Sequence, residues 1–305
     1  MLTRTMDVRG PVHVADFGGT GPTMLLVHGL GGSHLNWASV GAALAEEHRV
    51  SAIDLPGFGL SPIAGRRSTI AANVGVVEAV IGQLGAPAIL VGNSMGGLIS
   101  LGVAARRPES VAALVLVDAA LPRPRGERLR MDPALREFLF AYTIPWLGIR
   151  RVRRFVDKAG PEALVLQVLR SCCVDIGRVD RDVLHAHVEL ERVRMAEPRW
   201  DVAMRAATAS LLHTLAMRSR VEGWVSGLTV PTMLMHGRED RIVSFRSASA
   251  AADLRPDWEF HVFEDVGHVP MLETPGLFVD ALRGWVQRQN LAARNGSAVT
   301  QRDVA

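Results

Sequence analysis

Three residues far apart in the chain have the types that acyl-transfer chemistry requires. Ser94 lies in "VGNSMGG" (91–97), Asp240 in "MHGREDRIV" (235–243) and His268 in "EDVGHVPMLE" (264–273). A serine hydroxyl is a weak nucleophile. It needs a base to take its proton and a third group to orient that base. The spacing around Ser94 suits a raised nucleophile. Gly92-Asn93-Ser94-Met95-Gly96 fits G-x-S-x-G and is followed by Gly97. A serine lifted off a strand end needs a strained turn, and side chains two positions either side would strike the adjoining strand and helix. The Met95 amide then opens the next helix and can donate to a developing oxyanion. A packing turn or a phosphate loop is the competing reading. The chain has neither G-K-[ST] after a glycine-rich loop nor G-x-G-x-x-G.

The second oxyanion donor is expected in "HGLGG" (28–32), whose glycines let the backbone approach a substrate, and the Leu30 amide is the candidate. Asn93 and Val269 flank the nucleophile and the base, and both are candidates for substrate contact. Glu239, Asp265 and Asp118 remain alternatives to Asp240 as the acid, or loop-fixing hydrogen bonders. His28 is expected to serve its own loop, and Asp54 to tie down the turn "DLPGFGLS" (54–61).

These residues need elements that bring them to one edge. "TMLLV" (23–27), "VSAID" (50–54), "AILVG" (88–92), "VAALVLVD" (111–118) and "PTMLMHG" (231–237) are short, nearly continuous apolar runs. Strands of a parallel sheet buried on both faces look like this. "VHVADF" (12–17) alternates with period two, as a half-exposed antiparallel strand does, and "WEFHVFE" (258–264) is a last strand. Helical patterns fall near 36–47, 70–84, 95–107, 245–254 and 275–290. Alternation of this kind predicts an α/β fold, a mostly parallel central sheet with helices on both faces. Ser94, Asp240 and His268 each follow a strand and so share its carboxyl edge. Residues 120–225 break the rhythm with apolar-periodic stretches and no strand. The expected organisation is a core of 1–119 and 226–291, a helical insertion of 120–225, and a polar, disordered tail of 292–305.

Taken together, "HGLGG", "DLPGFGLS", "GNSMGG", "GREDRIV" and "GHVPMLETP" resemble the α/β-hydrolase superfamily in content and order. The resemblance implies a Ser-His-Asp triad, an oxyanion hole from the Leu30 and Met95 amides, no metal or cofactor, and a helical cap inserted after the sixth strand. Serine at position 94 argues against the dehalogenases and epoxide hydrolases of this fold, which carry aspartate there. The C–C bond hydrolases of vinylogous diketones share Asn93-Ser94-Met95-Gly96-Gly97. They typically have tryptophan after the catalytic histidine, where this chain has Val269, and a Gly-Pro-Gly oxyanion loop, where it has Gly29-Leu30-Gly31-Gly32. A carboxylic-ester hydrolase of the esterase or lipase kind is the resulting expectation, with a hydrophobic acyl group received by Leu139, Phe140, Trp146 and Leu147 of the cap. A C–C hydrolase and a small-molecule receptor on the same fold are the alternatives.

Composition sets outer limits. The chain has 305 residues, 48% of them hydrophobic, and a formal charge of +3, enough apolar content for a large α/β domain. Lys158 is the sole lysine, and the arginines are mostly interleaved with acids, which does not suit a nucleic-acid face. Arg150, Arg151, Arg153 and Arg154 are clustered; a solvated helix face or a peripheral contact with anionic lipid both fit them. His185 and His187 diverge on a helix and do not form a zinc site. Cys172 and Cys173 are adjacent and have no other thiol to pair with, which suits a reducing compartment. With no signal-peptide pattern and no long apolar run, the expectation is a soluble cytoplasmic protein.

Overall fold

A computed structural model describes residues 1–126, 147–197 and 200–289. One eight-stranded sheet organises them, in the order β1-β2-β4-β3-β5-β6-β7-β8. Its strands are β1 (Leu2–Asp7), β2 (Pro11–Gly18), β3 (Thr23–Val27), β4 (Arg49–Ile53), β5 (Ala88–Asn93), β6 (Val111–Val117), β7 (Thr232–Gly237) and β8 (Glu259–Phe263). The pairs β1·β2 and β2·β4 are antiparallel, and all others are parallel. The apolar runs become strands because both of their faces are covered. Along β3, Leu25 and Val27 enter one apolar cluster and Met24 and Leu26 the other.

The helices covering those faces are α1 (Ala38–Leu44), α2 (Ile70–Leu84), α3 (Met95–Arg106), α8 (Phe245–Leu254), α9 (Pro270–Glu273) and α10 (Pro275–Arg288). Between β6 and β7 lie α4 (Leu147–Cys172), α5 (Arg181–Ala196), α6 (Trp200–Ala216) and α7 (Arg218–Gly227), with no strand among the described residues. The expected helix at 36–47 is shorter than its pattern. Residues His34–Trp37 form a 3-10 turn instead, capped reciprocally: Ser33 Oγ accepts the Leu35 amide (3.2 Å) and Asn36 Oδ1 accepts the Ser33 amide (2.9 Å). The helix α4 bends at Gly160, whose φ of 81° no L-residue adopts cheaply, just before Pro161.

The inserted helices meet the core at several places, two of which bear on the site. Ala203, Met204, Ala207 and Leu211 of α6 enter the same cluster as α2 and α3. There Gly31 and Gly57, both at positive φ, make room: a Cβ on either would strike Met204 or Ala203. The second place is the end of α4, which packs on the loop after β8. No described helix is long and apolar enough to cross a membrane. Arg150, Arg151, Arg153 and Arg154 are exposed on α4, and Arg153 reaches Asp201 at 3.5 Å.

Candidate active site

At the end of β5 the backbone turns sharply. Ser94 has φ 53° and ψ −118°, a conformation that costs a non-glycine residue free energy and is kept only where its surroundings enforce it. The enforcing contacts are backbone hydrogen bonds on both sides: Ser94 N–H donates to Val117 O (2.9 Å), and Ala120 N–H donates to Ser94 O (3.0 Å). The glycines are steric necessities. A Cβ on Gly92 would lie 2.5 Å from the Gly96 carbonyl oxygen, one on Gly96 would lie 2.5 Å from that of His28, and one on Gly97 would lie 2.6 Å from Ala119 Cβ. Met95 takes the first position of α3, where its amide has no intrahelical acceptor.

The loop after β3 closes on this turn. A Cβ on Gly29 would lie 3.0 Å from both Asn93 Oδ1 and Ser94 Cβ, so the backbone leading into Leu30 runs against the serine. His28 beneath it is fully buried and neutral, its imidazole pushed down by burial. Leu55 N–H donates to its Nε2 (3.0 Å), which makes Nδ1 the protonated nitrogen, donating to the Gly29 carbonyl (2.7 Å). His28 therefore holds two loops together and has no nitrogen free to act as a base.

Asp240 and His268 meet directly. His268 Nδ1 donates to Asp240 Oδ2 at 2.7 Å, with the carboxylate fully buried and His268 only 5% exposed. The other oxygen, Oδ1, accepts the Ile242 (2.7 Å) and Val243 (3.0 Å) amides. Burial works against the Asp240 charge, but the neighbouring His268, its hydrogen bond and His236 outweigh it and hold the carboxyl below its ordinary range. Glu239 is exposed, and Asp265 is exposed and paired with Arg178 at 2.5 Å, so neither reaches His268.

Several further residues fix the surroundings of the pair. Asn93 Nδ2 donates to both Val117 O (3.2 Å) and His268 O (3.1 Å), tying the serine turn to the histidine loop. His268 N–H donates to Cys172 O at 2.6 Å, from the end of α4. Glu273 has a fully buried side chain. Its Oε1 accepts the Val174 and Asp175 amides and its Oε2 the Gly267 amide, all at 2.9 Å. A carboxylate thus clasps the inserted helices to the His268 loop. Val269 is buried at the edge of the core cluster with Met271 and Phe278. Leu139, Phe140 and Trp146 lie outside the described residues, as does the side chain of Leu147.

Among the described residues, two groups could offer three metal-type ligand atoms within 4.8 Å: His13, His34 and Asp54, and Asp118, His236 and Asp240. In both, carboxylate oxygens already accept protein N–H groups. Asp54 Oδ1 accepts the His34 amide (2.6 Å), its Oδ2 accepts the Leu60 amide (2.8 Å), and the His34 ring lies against both oxygens. Asp54 thus fixes its own turn, as expected, and also the loop after β3.

A mostly parallel sheet with its loops gathered over one edge, a strained serine turn and a buried histidine–aspartate pair define an α/β-hydrolase arrangement. The chain belongs to that family: the family model described as "alpha/beta hydrolase fold" matches residues 22–275. Among curated relatives, it is 28% identical to 2-hydroxymuconate semialdehyde hydrolase of Pseudomonas sp. (strain CF600), over 90% of each chain. It is 27% identical to pimeloyl-[acyl-carrier protein] methyl ester esterase of Aeromonas hydrophila, over 88% of this chain and 96% of that one. Among solved structures, a thermophilic esterase from Thermogutta terrifontis superposes with a TM-score of 0.66 at 25% identity, covering 95% of this chain and 99% of the other.

Proposed function

We propose that the chain is a serine hydrolase of carboxylic esters, with Ser94 as nucleophile, His268 as base and Asp240 as the group that orients the base. The observation that carries this reading is the 2.7 Å His268 Nδ1–Asp240 Oδ2 hydrogen bond, linked through Asn93 to a serine held at φ 53°. With Nδ1–H committed to a carboxylate, Nε2 is the unprotonated nitrogen and can accept the Ser94 proton. Ser94 Oγ attacks the acyl carbon, and the Leu30 and Met95 amides take the negative charge of the tetrahedral oxygen. His268 then protonates the leaving alcohol, and in the second half-reaction it activates water to release the acid.

The substrate on this reading is a small ester with an apolar acyl group. The helical segment 120–225 is a cap over a core of 1–119 and 226–291. Cleavage of a C–C bond is the second reading, favoured by the likeness to the 2-hydroxymuconate semialdehyde hydrolase over most of both chains. On this reading the chain works in a reducing, cytoplasmic setting, which suits two adjacent free thiols with no other thiol to pair with.

Hydrolysis of p-nitrophenyl esters of graded acyl length, together with labelling by a serine-directed phosphonate, tests the proposal. Wild type is expected to turn over and to label at Ser94, and Ser94→Ala to do neither. Labelling with turnover only of vinylogous diketones would move the assignment to C–C hydrolysis. A folded protein that neither labels nor turns over would leave a small-molecule receptor.

A further inference from the structure

One carboxyl beside the pair has no role in the scheme above. Asp118 follows β6, is wholly buried and has φ 43°, a second strained non-glycine residue at the same sheet edge. Its amide donates to Met235 O (2.9 Å), and its Oδ1 accepts the Gly237 amide (2.9 Å). Its Oδ2 is buried with no hydrogen-bond partner. An unmatched oxygen in such a place is costly unless something unseen satisfies it.

The groups facing Asp118 come from four directions. His236 on β7 has its Nε2 3.7 Å from Asp118 Oδ1 and 3.5 Å from Asp240 Oδ2, and donates to Val243 O at 3.2 Å. Asp240 lies within the same 4.8 Å cluster. His268 bonds to that Asp240, and Cys172 of α4 and Glu273 of α9 complete the surroundings. Burial keeps His236 neutral. Two ionised carboxylates this close repel strongly, and a shared proton removes the conflict.

We propose that Asp118 is a neutral carboxylic acid whose Oδ2–H donates to the Asp240 carboxylate, making it a positioning residue for the orienting acid. The proton fills the one unmatched oxygen and leaves the negative charge on Asp240, where His268 uses it. Burial first, and then the charge of Asp240, push the Asp118 carboxyl well up, while His268 holds Asp240 down. The two carboxyls thus differ in charge because only one of them has a histidine. Sequence alone offers Asp118 as a rival acid, whereas here it supports the acid.

The catalytic half of this proposal rests on the triad reading, but the proton can be tested without it. Infrared difference spectra of wild type against Asp118→Asn at neutral pH are expected to show the carbonyl stretch of a protonated carboxyl in wild type only. That band does not depend on which bond the enzyme cleaves, or on whether Ser94 attacks. In kinetics, Asp118→Asn keeps a donor at the same place. It is expected to retain kcat within about threefold, with the acid limb of the kcat/KM profile unmoved. Asp118→Leu loses the donor and is expected to lower kcat about tenfold at similar KM, the loss of one hydrogen bond to a charged group. Without that donor Asp240 is the stronger base, so the acid limb also moves to higher pH. The proposal is overturned if wild type lacks the band, or if Asp118→Asn moves the acid limb to lower pH, the result of removing a negative charge. Thermal unfolding of both variants separates kinetic change from loss of fold.

Discussion

Among the described residues, two buried aspartates at the carboxyl edge of one sheet each take a histidine Nδ1 at close range, and the two geometries are nearly the same. His34 Nδ1 lies 3.0 Å from Asp54 Oδ2, and His268 Nδ1 lies 2.7 Å from Asp240 Oδ2. All four side chains are buried, and both carboxyls sit below their ordinary range with histidine as the favourable neighbour. The surroundings separate them. The first pair is packed into its loops: His34 tilts against His13 with ring centres 4.9 Å apart, and Asp54 O accepts Ser61 Oγ–H at 2.6 Å. The second is joined through Asn93 to the strained serine. A hydrogen-bonded histidine and aspartate is a generic unit of protein structure. The group offered to the other ring nitrogen decides whether the unit is scaffold or base.

The sharpest way to break this comparison is to neutralise each acid in turn. Asp240→Asn is expected to lower kcat on the order of 10⁴-fold, because the ring is left in the wrong tautomer, and to cost stability as well, since it too breaks a buried pair from one side. Asp54→Asn is expected to cost stability alone. It leaves kcat of the folded enzyme within about threefold but costs about 3 kcal/mol of stability, the loss expected when a buried pair is broken from one side. Ester turnover and urea unfolding measured on both variants decide it. Equal kinetic losses in the two would erase the distinction between scaffold and base.

Glu273 sharpens the comparison from the side of the support. The His34 loop is held by Asp54, which is also its partner, whereas the His268 loop is held by a separate carboxylate that reaches into the inserted helices. Glu273→Ala frees the Gly267, Val174 and Asp175 amides together. The expected result is kcat lower by about 10- to 100-fold, through displacement of His268, and stability lower by about 2 kcal/mol from buried amides left unmatched. Steady-state kinetics with thermal unfolding reads both. A stability loss with unchanged kcat would mean that the loop finds its place without the clasp.

What could be read in the sequence follows from how local each signal is. The strands β3 to β7, the turn at Ser94 and the loops bearing Asp240 and His268 announce themselves through apolar runs ended by small or polar residues. The strand β1 does not: of "LTRTMD" only Met6 is buried, so no face stands out, and pairing with β2 makes the strand. Glu273 in "PMLET" looks like any surface glutamate. Its burial is decided by three amides, two of them about a hundred positions away. Asp118 was visible as a carboxyl at a strand end, but whether it competes with Asp240 or supports it depends on which of them faces His268. No spacing encodes that. The expected acyl-pocket residues Leu139, Phe140 and Trp146 fall outside the described residues.

The smallest expected effect is also the most specific to the contrast, because the two sites respond to pH with opposite sign. Asp54 has a folded-state pKa below its unfolded value of about 4. Its contribution is therefore complete above about pH 4 and is lost as pH falls through the lower folded value. Asp118 has a folded-state pKa well above its unfolded value. Its contribution is complete below about pH 4 and is lost as pH rises toward the raised folded value. The deficit of Asp54→Asn should then be constant from neutral pH down to about 4 and shrink below it. Asp118→Asn should match wild type near pH 4 and gain on it as pH rises, unfolding a few degrees higher at pH 8. Unfolding temperatures of the three proteins from pH 3 to 8 separate the curves. Parallel deficits for the two variants would mean that Asp118 carries a charge like Asp54, and that the second pair is an ordinary ion pair with an extra carboxylate beside it. Curves that diverge with pH would mean that the carboxyl next to Asp240 is kept neutral by its surroundings, a condition that the His34–Asp54 pair, flanked by histidines, never has to meet.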